Sequence, residues 1–263
     1  MSRIRVVSLY SGSGGNSTLV ETSKGSILID AGKSARALCA ALRQVGSDAS
    51  RINAVFVTHE HTDHVSALEI FLKKNAVPVH ITRASADNLH TLPDSRLSAA
   101  LKIHTPVFSE KVADMTVSAF PVSHDSAMCV GYRIETDDGY SVGIATDTGY
   151  VTDEMMTALT GCRAVIVESN HSEEMLMCGH YPADLKRRIL SRRGHLSNNA
   201  CADVIGCLAA SGTTDFMLAH LSRDNNCPDC ALSSARDALS DYPNTRLCAA
   251  KPESETVFVN LEL

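Results

Sequence analysis

Long apolar runs are absent from this chain of 263 residues. No stretch approaches the roughly 20 consecutive apolar residues that a helix needs to cross a bilayer, so the sequence excludes a membrane-spanning protein. We also expect no secretory signal, because the first nine residues have the pattern of a β-strand instead of a charged and then apolar leader. We therefore expect a protein with no membrane partner that resides in the cytoplasm.

Closely spaced cysteine pairs are scarce. Nine cysteines are scattered along the chain, an odd number that is more typical of reduced thiols than of a disulfide framework. Cys227 and Cys230 form the one close pair, and no second pair completes a zinc ribbon. We predict that this pair belongs to a loop and has neither a metal nor a redox role.

Linkers, low-complexity tracts and internal repeats are not recognisable in the sequence. A chain of this length with 44% hydrophobic residues can bury one substantial core, so we predict a single domain over residues 1–263.

Apolar patterns of strand and helix period alternate and predict a mixed α and β fold. The predicted strands span residues 4–9, 26–29, 54–57, 78–81, 116–120, 130–135, 141–145, 164–167, 215–219 and 256–261. The predicted helices span residues 35–44, 65–74, 182–191, 199–210 and 233–241.

One histidine-rich motif carries the most specific signal in the chain. The apolar residues 54–58 lead directly into His59-Glu60-His61-Thr62-Asp63-His64. Because alternate residues of an extended chain point to the same side, His59 and His61 can grip one ion. Asp63 and His64 fall where a helix is predicted to begin and can face a second ion. Imidazoles with carboxylates suit zinc, manganese or iron, so the motif predicts a site for two divalent transition-metal ions.

The motif His-x-His-x-Asp-His after an apolar strand resembles the signature of the metallo-β-lactamase-fold hydrolases. This resemblance implies a four-layer αββα sandwich of the α/β (α+β) class, with two mixed sheets face to face, helices outside and the metals at one edge. It also implies later ligands at strand ends, where the chain offers His124, Asp147 and His220. The implied ligand sets are His59, His61 and His124 for the first ion, Asp63, His64 and His220 for the second, and Asp147 between the two.

Five further segments resemble the YycJ/WalJ-type branch of this superfamily, a relative of ribonuclease Z. They lie at residues 9–16, 28–32, 168–171, 194–198 and 218–226, so that together they span most of the chain. Tyr10 and the pair Gly14-Gly15 depart from the usual small-residue loop of the branch. Its members are metal-dependent nucleases, so the resemblance implies a phosphodiesterase whose partner is nucleic acid, with 5′ to 3′ exonuclease action on DNA.

The resemblance also implies roles for three catalytic side chains. A hydroxide between two metals would attack the phosphorus, with Asp63 orienting it. His195 would donate a proton to the departing oxygen, and Glu168 would orient His195.

Charge gives mixed evidence on the substrate. A net charge of −6 argues against a protein coated with basic residues for nucleic acid. A cluster of basic residues nevertheless lies just ahead of His195 and predicts contacts with phosphate groups. The arginines of this basic cluster are Arg187, Arg188, Arg192 and Arg193.

Two alternatives stay open at this point. A thioester or other small-ester hydrolase, similar to glyoxalase II or a lactamase, could use the same metal site, because an activated hydroxide attacks several kinds of ester. A binding protein that keeps the fold without catalysis would be marked by lost ligands, and all seven candidate positions are filled. An oxygen-reducing diiron enzyme is disfavoured, since that relative has Glu where this chain has His61.

Overall fold

Two seven-stranded sheets form the framework of the protein in the computed structural model, which describes residues 4–89 and 95–261. The first sheet contains β1 (Ile4–Tyr10), β2 (Ser17–Thr22), β3 (Ser26–Ile29), β4 (Ile52–Phe56), β5 (Val79–Thr82), β6 (Leu101–His104) and the last strand, β14 (Thr256–Asn260). The second contains β7 (Ser109–Val112), β8 (Met115–Pro121), β9 (Val130–Thr136), β10 (Ser141–Ala145), β11 (Ala164–Glu168), β12 (Asp215–Ala219) and β13 (Arg246–Ala249).

Helices connect these strands. They are α1 (Ala35–Gln44), α2 (Thr62–Val65), α3 (Leu68–Phe71), α4 (Arg83–Asp87), α5 (Arg96–Ala100), α6 (Asp153–Leu159), α7 (Glu173–Cys178), α8 (Ala183–Ile189), α9 (Asn198–Ala210) and α10 (Pro228–Ala238). No helix in the described ranges is both long and apolar enough to span a bilayer.

Both sheets follow the same plan of pairing. Strands β1, β2 and β3 pair antiparallel, and β3 to β6 then run parallel. In the second sheet β7 to β10 pair antiparallel, and β10 to β13 run parallel. Parallel neighbours require crossover connections, which are largely helical here. The carboxyl ends of the parallel strands therefore share one edge of each sheet.

The hydrophobic core lies in three layers because strands bury alternate side chains on opposite faces. Ile27 and Phe56 of the first sheet pack between the sheets with Tyr132 and Ile144 of the second. The outer face of the first sheet packs against residues such as Leu38 of α1 and Leu68 of α3. The outer face of the second sheet packs against Leu159 of α6, Val204 of α9 and Ala235 of α10. Helix, sheet, sheet and helix follow in order, so the predicted αββα sandwich is confirmed.

The cysteines correct one sequence-based prediction. All nine lie in the described ranges, and seven of them are free thiols as expected. Cys227 and Cys230, however, are joined by a disulfide with their Cα atoms 5.2 Å apart. The prediction of an unbonded pair in a loop is wrong because α10 begins at Pro228, with Cys227 as its N-cap. The first helical turn brings the two sulfur atoms together.

Candidate metal and catalytic site

The predicted site residues meet at the edge where parallel strands of both sheets end. His59 follows β4 in the first sheet, whereas Asp147, Glu168 and His220 lie at the ends of β10, β11 and β12 in the second. The carboxyl edge of parallel strands is where open α/β sheets bind ligands. Because each sheet supplies part of the site, the packing of one sheet on the other determines its geometry.

His59, His61 and His124 form the first group, with possible ligand atoms within 4.8 Å of one another. His59 is fully buried, and its Nδ1 lies 3.0 Å from Thr58 Oγ1. The Nδ1 of His124 donates to the carbonyl of Gly194 at 3.1 Å. A hydrogen bond at Nδ1 fixes the ring and leaves Nε2 available as the ligand atom.

Asp63, His64 and His220 form a second group, and their possible ligand atoms also lie within 4.8 Å of one another. The Nδ1 of His64 donates to Asp30 Oδ2 at 2.8 Å, and its Nε2 lies 3.4 Å from Asp63 Oδ2. His220 Nε2 lies 4.0 Å from the same oxygen. His220 Nδ1 in turn donates to Glu168 Oε1, so both histidines have one nitrogen anchored by a buried carboxylate and the other directed at Asp63.

Asp147 lies between the two groups. Its Oδ2 is 3.4 Å from His64 Nε2, and its Oδ1 is 3.4 Å from His220 Nε2 and 3.9 Å from His124 Nε2. The backbone of Asp147 is left-handed, with φ 55°, as are those of His220 at 56° and Asp30 at 62°. The chain turns sharply at these positions and directs the side chains into the site.

Unpartnered polar atoms show that the residues fit bound metal ions. His59 Nε2, His220 Nε2 and Asp147 Oδ2 are buried and have no hydrogen-bond partner. A buried polar atom without a partner costs free energy, and a metal ion would satisfy all three atoms. Imidazoles mixed with carboxylates suit zinc, manganese or iron better than calcium.

The electrostatics of the site also favour positive charge. Burial lowers the pKa of His220, but Asp147, Asp63 and Glu168 outweigh burial and raise that pKa to about 10. Burial likewise lowers the pKa of His64, and Asp30 and Asp147 reverse the shift and raise it well above its usual range. For Asp63, hydrogen bonds from the two histidines overcome burial and lower the pKa. Asp63 thus stays ionised at this edge and attracts cations.

His195 lies beside the two groups and is held by Glu168, as the sequence analysis expects. Its Nδ1 donates to Glu168 Oε1 at 2.7 Å and lies 3.9 Å from Asp147 Oδ1. The same Glu168 oxygen accepts from His220 Nδ1 at 2.9 Å. The other oxygen, Oε2, accepts from the backbone of Thr148 at 2.9 Å and of Leu196 at 3.3 Å. Glu168 is therefore fixed by four donors and fixes two histidines.

The ring of His195 lines an open cleft. Its side chain is 21% exposed, and the cleft has a volume of about 190 Å³, with Asp125, Tyr181 and Arg188 on its walls. Burial lowers the pKa of His195, but the Glu168 carboxylate outweighs burial and raises it. The raised pKa favours the protonated ring, and a protonated histidine in this position can donate to a group in the cleft.

The four arginines of the basic cluster do not point to a single surface. Arg188 pairs with Asp125 in the cleft, whereas Arg187 pairs with Asp184 on its own helix. Arg192 lies over the ring of Tyr150, 4.0 Å from its centroid. The guanidinium of Arg193 donates to the carbonyls of His124 at 3.1 Å and Ser126 at 3.2 Å. Arg188 lines the cleft, and Arg193 supports the loop that carries His124.

Three further residues, outside the predicted set, support the site. Asn16 Nδ2 lies 3.2 Å from Asp63 Oδ2 and 3.0 Å from His64 Nε2. Asp30 orients His64, as described above, and also accepts from the backbone of Thr58 at 2.8 Å. Asp125 Oδ1 lies 3.2 Å from His124 Nε2. Asn16 and Asp30 fall in segments that resemble the YycJ/WalJ branch, so the signal was present although their contacts were not predictable.

A close backbone contact explains why glycine occupies position 32, two residues after Asp30. A Cβ atom at Gly32 would collide with the carbonyl oxygen of Asp63 and with the backbone of Asn16. The backbone of Asn16 donates to the same carbonyl at 2.7 Å. Only glycine allows the loop after β3 to pack this tightly on the helix that carries Asp63 and His64.

The other histidines divide into several environments. His80 and His104 lie 3.0 Å apart through Nδ1 and Nε2, and Glu110 lies 4.0 Å from His104 Nδ1. These three could hold a metal by distance alone, but the two nitrogens of His104 face different partners, which fits a hydrogen-bonded histidine pair beside a carboxylate. His171 is buried, His180 is exposed, and His90 lies outside the described residues.

Comparison with known proteins places this site in a wider group. A family model described as the beta-lactamase superfamily domain matches residues 26–220. Exodeoxyribonuclease YycJ of Bacillus anthracis is 34% identical over 233 residues, which cover 89% of this chain and 88% of that protein. Exodeoxyribonuclease WalJ of Streptococcus pneumoniae serotype 2 is 33% identical, covering 85% and 83%. The metallo-beta-lactamase fold protein YhfI from Bacillus subtilis has a TM-score of 0.72 at 17% identity, covering 96% and 99%.

Proposed function

This chain belongs to the metallo-β-lactamase superfamily, in its YycJ/WalJ branch, and is a metal-dependent hydrolase; on that premise we propose that it is a cytoplasmic, single-domain 5′ to 3′ DNA exonuclease. The observation that carries the proposal is the contact between His195 Nδ1 and the buried Glu168 carboxylate, beside the ligand groups. Cleavage of a phosphodiester requires protonation of a poor leaving group, and His195 supplies that proton.

The proposed cofactors are two divalent ions of zinc, manganese or iron. His59, His61 and His124 would hold one ion, Asp63, His64 and His220 the other, and Asp147 would contact both. When bound, such ions activate a water molecule and neutralise negative charge on the phosphate.

The chain's own groups then divide the remaining work. Asp63 is held ionised by its histidine neighbours and would orient the attacking water. His195 donates from Nδ1 to Glu168, which leaves Nε2 to protonate the departing 3′-oxygen or to steady a phosphate oxygen. Glu168, fully buried, keeps the ring in the orientation and tautomer that this transfer requires.

Relatives support the choice of substrate. Two proteins named exodeoxyribonucleases are 33% and 34% identical to this chain over most of their length. No comparable observation favours the thioester hydrolase that stays open on sequence alone. DNA is therefore the proposed substrate, with the cleft at His195 and Arg188 receiving the scissile phosphate.

A labelled-end assay tests this function. The purified protein with manganese or zinc is incubated with single- and double-stranded DNA and RNA, each labelled at the 5′ or the 3′ end. We expect early release of short labelled products from 5′-labelled DNA and slow, progressive shortening of 3′-labelled DNA. Hydrolysis of thioesters without cleavage of any nucleic acid would contradict the proposal.

Salt dependence tests the basic cluster. Replacing Arg187 and Arg192, the two cluster arginines that neither line the cleft nor support the His124 loop, with alanine should flatten the slope of log binding constant against log salt by about one to two, because each phosphate contact on duplex DNA contributes about −0.9. Binding should weaken similarly for all sequences, since phosphate contacts carry no sequence information. Filter binding or fluorescence anisotropy measures the slope.

Two controls accompany this measurement. Arg236→Ala removes an exposed arginine from α10, outside the cluster, and should leave the slope unchanged. Hydrolysis of bis-p-nitrophenyl phosphate, which cannot span the cluster, should barely change in the double variant. An unchanged slope, or equal losses on both substrates, would remove the cluster from the binding surface.

A further inference from the structure

The disulfide at the start of α10 stands outside the site described above. Cys227 and Cys230 are bonded to each other and separated by Pro228 and Asp229. They begin the helix that connects β12 to β13, and those two strands pair in parallel. A Cys-x-x-Cys pair in a β-α-β unit is the arrangement of dithiol redox sites. We propose that Cys227 and Cys230 form a reversible thiol–disulfide exchange site that reacts with small-molecule or protein disulfides and dithiols.

Cys227 is placed to be the attacking thiol. It is the N-cap of an 11-residue helix, and its Sγ accepts the backbone N–H of Cys230 at 3.1 Å. Backbone donors and the positive end of the helix dipole at this position stabilise a thiolate, which is the reactive form. Both cysteines are half-buried, so a reagent or protein partner can reach them.

The other cysteines lack this setting. Burial raises the pKa of Cys201 to about 12 and of Cys162 to about 11, which keeps both thiols protonated and unreactive. Cys207 and Cys178 are exposed, but Cys207 lies inside α9 and Cys178 is the last residue of α7. Neither has helix N-terminal donors. These two are therefore matched controls for exposure without activation.

The surroundings allow exchange without unfolding. The backbone N–H of Cys227 donates to Asn226 Oδ1 at 2.9 Å, and Asn226 Nδ2 donates to the carbonyls of Ser169 at 2.9 Å and Asn170 at 3.0 Å. These bonds hold Cys227 through its backbone and do not involve its sulfur. Opening the disulfide then needs only side-chain rotation.

The proposed thiol–disulfide exchange takes place in two steps. The Cys227 thiolate attacks one sulfur of a disulfide RS–SR, which forms a mixed disulfide and releases RS⁻, a thiol after it takes up a proton. Cys230 loses its proton to solvent and attacks the Cys227 sulfur, which breaks the mixed disulfide and releases the second RS⁻. Two protein thiols are oxidised by two electrons, and one external disulfide is reduced to two thiols.

The test uses the intact protein in glutathione buffers of varied ratio. Free thiols are trapped with iodoacetamide, and the peptides are quantified by mass spectrometry. We expect Cys227 and Cys230 to convert together between alkylated and bonded forms in one two-electron transition while circular dichroism stays native. A disulfide that resists excess dithiothreitol until the protein unfolds would overturn the proposal, as would a pair that never forms in oxidised buffer.

Single variants identify the attacking sulfur. In Cys230→Ser, glutathione disulfide should trap a mixed disulfide at Cys227 at least about tenfold faster than at Cys207 or Cys178. In Cys227→Ser, Cys230 should form the adduct more slowly. Equal rates at Cys227, Cys207 and Cys178 would show that exposure alone governs reactivity and would contradict the proposal. None of these measurements depends on nuclease activity.

Discussion

Replacing Asp147 with asparagine should lower hydrolysis by about 10³-fold or more and remove most of the bound metal. The carboxylate lies 3.4 Å from the Nε2 atoms of both His64 and His220, and its Oδ2 is buried without a partner. Asparagine keeps the shape but loses the charge. Losing several kcal/mol of metal-derived stabilisation corresponds to a rate loss of this size. Elemental analysis after chelator-free purification and steady-state kinetics measure the two effects.

Asp237→Asn, an exposed change on α10, is the matched control and should keep both metal and activity. Wild-type protein should carry close to two transition-metal ions per chain. If Asp147→Asn retains the full metal content, Asp147 is not a ligand. If wild-type protein carries only trace metal, the binuclear proposal fails.

Replacing His195 with alanine should lower kcat on DNA by about 10² to 10⁴ while the metal content stays at the wild-type level, because general acid catalysis contributes a factor of this size. Its Nδ1 is occupied by Glu168, so His195 is available as a proton donor through Nε2. A substrate with a p-nitrophenolate leaving group needs little protonation. The loss on bis-p-nitrophenyl phosphate should therefore be much smaller than the loss on DNA.

His180→Ala is the control, since His180 is an exposed histidine on the same half of the chain. It should leave both rates unchanged. If His195→Ala lowers the rates on DNA and on bis-p-nitrophenyl phosphate by similar factors, His195 acts in binding or in metal positioning. Loss of metal in His195→Ala would place it among the ligands instead.

The first part of the site follows from local sequence physics. His59 comes three residues after the end of the apolar strand β4, and His61 is the N-cap of α2, so the extended spacing and the helix start are both predictable. The helix predicted over residues 65–74 is instead two short ones, α2 and α3. The positions of His124, Asp147 and His220 came only from the family resemblance, because their approach depends on how two sheets pack.

Four strands, β2, β6, β7 and β13, were not predicted, because their stability also depends on contacts with other parts of the fold. β6 and β7 have four residues each and are only partly buried, so neither shows a clear apolar alternation. β13 is an edge strand of four residues, and β2 is interrupted by polar side chains that find partners elsewhere. Short strands of this kind are stabilised by their neighbours, a contribution that a local pattern does not contain.

The contact partners of charged side chains are also not predictable from their positions in the chain. Arg187 and Arg188 are consecutive, yet their carboxylate partners Asp184 and Asp125 lie on different segments. The contact between His64 and Asp30 joins residues 34 positions apart. Neighbouring residues in the sequence show only which charges are present. Contacts between residues that are far apart in the chain decide which of those charges face the substrate.

Left-handed backbone at Asp30, Asp147 and His220 means that this edge of the molecule holds conformations that glycine would adopt more easily. For an ordinary side chain the left-handed region costs about 1 to 2 kcal/mol, and less for aspartate, which tolerates it. Glycine at Asp30 or His220 would relieve this cost but would break buried hydrogen bonds to His64 and Glu168, so the fold gains nothing from either change. Asp147 has a buried Oδ2 without a partner, so glycine there would remove the backbone cost and the unpartnered oxygen together with a proposed metal ligand. Selection for thermal stability alone should therefore favour loss of Asp147, and heat-tolerant variants from such a screen should be checked for glycine at position 147 before their activity is interpreted.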